Sequence, residues 1–273
     1  MGRKLFCEIS PTTYKLSVYK NIISRHFQDK LQKQRFASKK EAEKLPVCIY
    51  KHSSLIRRKL GNVDQHLQDN KAVNLALSTP KVSGILIRPG ETFSFWKLVG
   101  SCKEKDGYQE GLMIGKEEAI SGIGGGMCQF TNLIHWMVLH TPFEIVEHHH
   151  HDGVDLFPDY GRVIPFGTGT SIVYNYMDYR FKNSSDQTYQ LITYTDDTHL
   201  HGELYAEKEQ PYSYHVKCED DYFSREQGIV YRNSNIYQQV IDKQTGNEIK
   251  KVLIKKNHAK VVYPTDHLTI IEK

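Results

Sequence analysis

The feature that most constrains this chain is a motif of three glycines and a cysteine placed directly before a long apolar run. Residues 122–131 read GIGGGMCQFT, and the run MCQFTNLIHWMVLHT after Gly126 contains neither glycine nor proline before Pro142. This run predicts a mostly buried helix that begins at Met127 or Cys128. The glycines predict a tight turn. Either that turn precedes a buried structural thiol, or it shapes a pocket around a reactive one.

Length and composition are those of an ordinary globular protein. The chain has 273 residues, of which 39% are hydrophobic and 25% charged, which suits one large domain or two modest ones. No apolar run reaches the roughly 18 residues of a membrane span. The N-terminus lacks the apolar core of a secretory signal, so we expect a cytoplasmic protein. The five cysteines include no C-x-x-C pair, which disfavours a disulfide framework or a four-thiolate zinc site.

Charge is unevenly distributed along the chain. Residues 1–60 carry 15 Lys and Arg against 4 Asp and Glu, a net charge of +11, whereas the rest carries 21 against 28, a net charge of −7. The basic end suggests a polyanionic partner, most simply an anionic membrane surface or a phosphorylated precursor. The alternative is a solvated charged face. A nucleic-acid partner is not expected.

Hydrophobic periodicity predicts three helices in the first 80 residues. The first, from Thr13 to Phe36, has apolar residues at three- and four-residue steps: Leu16, Tyr19, Ile23, Phe27 and Leu31. This pattern suits a membrane interface, but the stripe is thin and we expect it to pack on the body of the protein. Residues 37–44 read as a second helix capped by Ser38. A third is expected from Asn62 to Thr79, ending before Pro80.

From Phe143 onward the pattern is strands, rich in β-branched and aromatic residues and separated by turn sequences such as KNSSD and TDDT. The sequence therefore predicts an α+β fold. It has a helical N-terminal segment, a mixed central core with a buried helix after the Gly-Gly-Gly-Met-Cys motif, and a β-rich C-terminal part. The corresponding domain division is 1–60, 61–200 and 201–273.

Cys128 is the candidate nucleophile. A cysteine in the first turn of a helix lies near the positive end of the helix dipole and near N–H groups without helical partners, which predicts a lowered thiol pKa. Gly124, Gly125 and Gly126 would let backbone N–H groups converge on an oxyanion. The same geometry suits a phosphate, but no lysine of the G-K-[ST] type follows the glycines. A tight turn beside a buried thiol remains the alternative.

The histidine run His148–His151 offers the densest supply of bases for such a thiol. In an extended strand, His149 and His151 share one face and the other two histidines share the opposite face. Two ligands from one strand fall short of a zinc site, so metal binding is the weakest interpretation and we expect no metal and no cofactor. His135 lies two helical turns from Cys128, too far for a hydrogen bond, and reads as a core residue.

Five segments, in this order and spacing, resemble the VanW family: RPGETFSFW, DGYQEG, GGGMCQFTNL, IVEHHHH and DYRFKN. Relatives with this domain are associated with L,D-transpeptidation of peptidoglycan, in which a cysteine forms a thioester with a stem peptide. The resemblance implies that Cys128 is the nucleophile, followed by Gln129, and that His149 and His151 match the family histidines. We favour His151 as the base, with His149 second.

This chain departs from the family pattern before its DYRFKN element. The family often has an acidic residue there that would orient a histidine, whereas this chain has Gly169, Thr170 and Ser171. Asp152 or Asp155 are the substitutes that the sequence offers. The cytoplasm also holds no polymer to cross-link, which favours a carboxypeptidase that acts on precursors.

The sequence leads to one preferred function and one alternative. The preferred function, which the resemblance implies, is cysteine-dependent acyl transfer on peptidoglycan stem peptides or their precursors, linked to glycopeptide resistance. The basic N-terminus would then lie at the inner leaflet of the membrane. The alternative is a non-catalytic accessory protein that binds cell-wall precursors or a resistance enzyme.

Overall fold

The computed structural model describes residues 5–58, 64–115, 119–150, 153–159, 163–174 and 176–273. Its fold is mixed α+β, as the sequence predicted. The α-helices within these residues are α1 Pro11–Leu31, α2 Gln65–Val82, α3 Phe95–Val99 and α4 Met127–Val138. Two short 3-10 helices span Phe6–Glu8 and Glu104–Asp106.

The three longest strands of the described residues lie in the C-terminal part of the chain. The strands are β1 Val47–Leu55, β2 Ile85–Ile87, β3 Thr92–Ser94, β4 Glu110–Ile114, β5 Ala119–Ile123, β6 Glu144–Glu147, β7 Val154–Asp155, β8 Arg180–Lys182, β9 Tyr189–Thr195, β10 His199–Ala206, β11 Tyr212–Glu226, β12 Ile229–Asp242, β13 Glu248–Val261 and β14 Ile270–Glu272.

The strands form four sheets, in the orders β1-β10-β9-β2, β14-β11-β12-β13-β7, β3-β8-β6 and β4-β5. Strand β10 spans the expected domain boundary at residue 200 and pairs with both β1 and β9. Strand β1 belongs to the predicted N-terminal segment, and residues 201–206 of β10 belong to the predicted C-terminal region. Both therefore lie in one sheet with β9 and β2 of the predicted central core. The division into three domains stays a prediction.

Helix α4 is the buried helix that the apolar run predicted. It packs on β1 and β10, and Phe130, Leu133, Ile134 and Met137 lie in the main hydrophobic core, each at most 1% exposed. Strand β5 leads through the glycine turn into α4, and β6 leads into the histidine run. The fold thus brings the two predicted functional motifs to the same helix.

Two local predictions are wrong. Residues 37–44 form no helix, because their backbone groups pair elsewhere: the Glu41 N–H donates to the Gly84 carbonyl (2.9 Å), and the Gln190 side-chain amide donates to the carbonyls of Glu41 and Glu43. Helix α2 does not stop before Pro80 but continues to Val82. Pro80 lies in the last turn of α2, so only two helical residues follow it. The proline therefore disturbs little of the helix.

The expectation that the apolar stripe of α1 packs on the body is also wrong. The residues Leu16, Tyr19, Ile23, Phe27 and Leu31 are all more than half exposed. The inner face carries Val18, Ile22 and Arg25, which are partly buried, and the buried Asp29. Among the helices of the described residues, none combines the length and the apolar character that a membrane-spanning helix needs.

Candidate functional site

The glycine turn ends at Gly126, the N-cap of α4, with a positive φ of 103° that favours glycine. Cys128 follows in the first helical turn. The N–H of Gly124 donates to the Gln109 carbonyl (3.0 Å), and that of Gly125 donates to the Gly122 carbonyl (3.0 Å). Two of the N–H groups expected to hold an oxyanion are therefore engaged within the protein.

The glycines are also required by close packing. A Cβ atom on any of them would clash with a neighbouring part of the protein: Cys102 at Gly124, the backbone of Gly111 at Gly125, and Lys71 at Gly126. Neighbouring atoms of the protein therefore occupy the positions where the Cβ atoms of these three residues would lie. The assignment of the three glycines to an oxyanion site stays a prediction.

Buried polar side chains of α2 hold this turn in place. The Asn74 Nδ2 donates to the carbonyls of Gln109 and Gly125 (both 2.9 Å), and its Oδ1 accepts the Gln109 N–H (2.8 Å). Asn70 Nδ2 donates to the Glu110 carbonyl (2.8 Å). Helix α2 thereby fixes both the β4 strand and the turn that leads to Cys128.

Lys71, also on α2, is a site residue that sequence reasoning missed. Its side chain is 6% exposed and passes over Gly126, and its Nζ donates to Gln68 Oε1 (2.7 Å). Burial, followed by the charges of Arg58 and Arg57, lowers the pKa of Lys71 to about 7. A lysine in a polar helix ordinarily faces solvent, so the sequence held no signal for it.

The thiol of Cys128 is shifted in the opposite direction from our expectation. Burial raises the pKa of Cys128, while the N–H groups of Ile172 and of Cys128 itself act to lower it without cancelling the effect of burial. The helix start thus supplies one donor, the Cys128 N–H, and residue 172 supplies the other, but desolvation of the thiolate outweighs both. Among the described residues, no histidine contributes to the shift.

Residues 169–172 run between α4 and the histidines. The N–H and Oγ1 of Thr170 donate to Asn132 Oδ1 on α4, at 2.6 and 2.8 Å. The N–H of the next residue, Ser171, donates to the His149 carbonyl (2.7 Å). This segment therefore aligns the Ile172 N–H with the Cys128 thiol and ties the histidine run to the same place.

The histidines that turn toward α4 are His148 and His150 rather than His149. The ring of His148 lies 4.1 Å from that of His135 and 3.9 Å from that of His150. Burial, together with the neighbouring imidazoles, lowers the pKa of His148 to about 3. His135 is buried and hydrogen bonds to Tyr179 Oη (2.9 Å), which confirms it as a core residue.

His149 instead forms a carboxylate–imidazole pair. Its Nε2 lies 2.9 Å from Glu147 Oε1, and that carboxylate also accepts the Asp178 N–H (2.8 Å) and Arg25 Nη2 (2.5 Å). Glu147 is thus the acidic partner that the sequence did not identify. Our first choice of base, His151, lies outside the described residues.

Two of the remaining predicted site residues, Asp155 and Gln129, form hydrogen bonds within the protein. Asp155, one of the two suggested acids, accepts a hydrogen bond from Tyr263 Oη (2.9 Å), and Asp152 lies outside the described residues. Gln129 Nε2 donates to Ser54 Oγ and to the Leu55 carbonyl, both at 2.9 Å, which links α4 to the end of β1. Within the described parts of the chain, no group of three or more His, Cys, Asp or Glu side chains is arranged to hold a metal ion.

An α+β protein with a cysteine at the head of a buried helix and a histidine run beside it matches one described family. Residues 70–205 match the family described as VanW like protein. The chain is 31% identical over 220 residues to the Vancomycin B-type resistance protein VanW of Enterococcus faecalis, which covers 81% of this chain and 80% of that protein. The chain belongs to the VanW family.

A second relative matches only in part. It is the uncharacterized protein YoaR of Bacillus subtilis, 28% identical over 121 residues, or 43% of this chain and 37% of that protein. No solved structure matches this chain.

Proposed function

We propose that this protein contributes to glycopeptide resistance by cysteine-dependent acyl transfer on peptidoglycan stem peptides or their precursors. The link to resistance is supported by the similarity to a protein named for vancomycin resistance. The observation that carries the chemistry is the convergence of two backbone N–H groups, from Cys128 and Ile172, on a thiol at the start of α4. Such donors stabilise negative charge on a sulfur or on an adjacent oxyanion.

In the proposed first step, a histidine removes the proton from Cys128 Sγ, and the sulfur attacks a peptide carbonyl carbon. The carbonyl oxygen becomes an oxyanion that accepts hydrogen bonds from N–H groups at the start of α4. When the C–N bond breaks, the leaving amine takes the proton from the imidazolium, and a thioester remains. His151 serves as this base, with His149, held by Glu147 at 2.9 Å, as the second choice.

In the second step, the histidine deprotonates the acceptor, which attacks the thioester and releases the thiol. An amine acceptor gives an L,D-transpeptidase-like reaction, and water gives a carboxypeptidase-like reaction. We propose a cytoplasmic site of action at the inner membrane leaflet, where water is the better-suited acceptor because precursors rather than polymer are present there.

A non-catalytic accessory protein that binds precursors or a resistance enzyme is the second candidate function. The observation that favours it is that burial raises the pKa of Cys128, so the thiol is neutral at physiological pH until a base acts on it. The close packing around all three glycines is also compatible with a purely structural turn.

Intact-protein mass spectrometry separates the two functions. Wild-type protein is incubated with tetrapeptide and pentapeptide stem peptides, free and nucleotide-linked, beside Cys128→Ala and the matched control Cys48→Ser, which alters an exposed thiol. We expect an acyl adduct on wild type and on Cys48→Ser but none on Cys128→Ala, with the adduct mass naming the cleaved bond. Absence of adduct and of product with folded wild type would assign the protein to the accessory class.

The same assay identifies the base. Removing a general base lowers the rate by about 10²- to 10⁴-fold, so His149→Gln and His151→Gln are compared under single-turnover conditions. The variant that slows adduct formation by this amount marks the base. An unchanged rate in both variants would exclude His149 and His151 as the base.

A further inference from the structure

The outer face of α1 is an exposed apolar surface. It carries five large side chains that are 54–67% exposed: Leu16, Tyr19, Ile23, Phe27 and Leu31. The segment before the helix adds Leu5, Phe6 and Ile9, at 57–63% exposed. Contiguous exposed apolar surface of this kind marks a site of interaction with a protein or a membrane.

The orientation of α1 is fixed by ion pairs on its inner face, which force this surface outward. Asp29 is 7% exposed and accepts from Arg180 Nη1 (2.5 Å) and from Lys97 Nζ (3.0 Å). Arg25 reaches Glu147 (2.5 Å) and the Tyr176 carbonyl (3.0 Å). Turning the helix to bury its apolar stripe would place these charges in water and leave Arg180 without one buried partner.

The charges beside the apolar stripe have a single sign. Lys15, Lys20 and Lys30 are exposed on α1, and none of them forms an ion pair with another residue that the structure describes. The one acidic residue of the helix, Asp29, lies on the inner face. The outer face is therefore apolar and positively charged, which is the composition of a helix that lies in the interface of an anionic bilayer.

From this face we infer that α1 binds the surface of an anionic lipid bilayer, with its axis in the plane of the membrane and its apolar stripe inserted between headgroups. The lysines would contact lipid phosphates. Pairing of two copies through this face is disfavoured, because a self-complementary contact would bring the lysines of both copies together, and α1 has no acidic residue on its outer face to neutralise them. The inference does not depend on the proposed chemistry at Cys128.

Vesicle flotation of the full-length protein tests this inference. The vesicles contain phosphatidylcholine alone or equal parts of phosphatidylcholine and phosphatidylglycerol. We expect binding to the anionic vesicles only, with weaker binding in about 1 M salt, where the Debye length falls to about 3 Å. Ile23→Ser/Phe27→Ser should reduce binding at least about tenfold. Lys15→Gln/Lys20→Gln/Lys30→Gln should reduce it by a similar factor and remove its salt dependence.

Ile249→Ser/Leu253→Ser is the matched control, because it removes two exposed apolar side chains from β13 (57% and 48% exposed). This control and Cys128→Ala should bind vesicles like wild type. Failure of folded wild type to bind anionic vesicles would overturn the inference. So would equal loss of binding in the β13 control, or a wild-type dimer in sedimentation that Ile23→Ser/Phe27→Ser dissociates.

Discussion

Helices α1 and α4 are attached to the rest of the molecule in opposite ways. Helix α4 contributes Phe130, Leu133 and Ile134 to the main core. Helix α1 instead turns a charged face inward, where Asp29 and Arg25 pair with Arg180 and Glu147. The apolar stripe Leu16, Tyr19, Ile23, Phe27 and Leu31 points away from the body.

The difference suits α4 to stabilising the fold and α1 to contacting a partner. Burial of large side chains makes α4 a part of the folding core, so its first turn presents Cys128 on a fixed support. Helix α1 adds little apolar burial and is held by a few directed contacts, which suits a surface element that meets a partner. Helix α1 also reaches the histidine run, since Arg25 of α1 binds the Glu147 carboxylate that also binds His149.

A matched pair of phenylalanine substitutions measures this difference most directly. Phe130 on α4 is 0% exposed and Phe27 on α1 is 63% exposed. We expect Phe130→Ala to lower the free energy of unfolding by about 3–5 kcal/mol, since it leaves a cavity, and Phe27→Ala to change it by less than about 0.5 kcal/mol. Urea denaturation checks both values. Comparable losses would mean that α1 packs in solution and would contradict its outward orientation.

Sequence patterns predicted the existence of both helices but not which face of α1 points inward. The period of Leu16, Tyr19 and Ile23 defines an apolar face, and the usual inference that such a face is buried failed because the inner contacts are ionic. Asp29 and Arg180 are 151 positions apart, so no local pattern could report their pairing.

The same limit applies to the candidate site. Cys128 at the head of a helix was predictable from the glycines and the apolar run. The direction of its pKa shift was not, because it depends on how deeply the assembled core buries the thiol. Glu147 as the partner of His149, and Lys71 over Gly126, likewise follow from tertiary contacts.

The ionic attachment of α1 is tested by a second matched pair. Asp29→Asn removes the charge that faces Arg180 and Lys97 in a buried site, and should cost about 2 kcal/mol of unfolding free energy. Asp186, paired with Lys208 at 2.9 Å on the surface, provides the control, and Asp186→Asn should leave the free energy of unfolding unchanged within the error of the measurement. Limited trypsin digestion should cleave α1 faster only in Asp29→Asn. Equal protease resistance would show that the ion pairs do not hold the helix.

Acid should weaken the surroundings of α4 before it weakens the attachment of α1. Burial depresses the pKa of His135, and that of His148 to about 3, so these imidazoles fold as neutral groups. Their contribution is complete above the unfolded pKa of about 6.5 and is lost as the pH falls below it. Arg180 and Lys97 outweigh burial to lower the pKa of Asp29, so its contribution is lost only below its unfolded pKa of about 3.9.

The contribution of His148 to this acid sensitivity can be measured from the free energy of unfolding at several pH values. Between pH 6.5 and 5.5, His148 alone should remove about 1 kcal/mol of stability, so His148→Gln should lose about that much less than wild type across the same interval. Above pH 7.5 the difference between the two proteins should be constant, which is the internal control. Denaturant titrations at each pH supply the values. A wild-type stability that is flat between pH 6.5 and 5.5 would mean that the imidazoles packed beside α4 are free to accept protons. The contrast between an uncharged α4 site and a charged α1 attachment would then be lost.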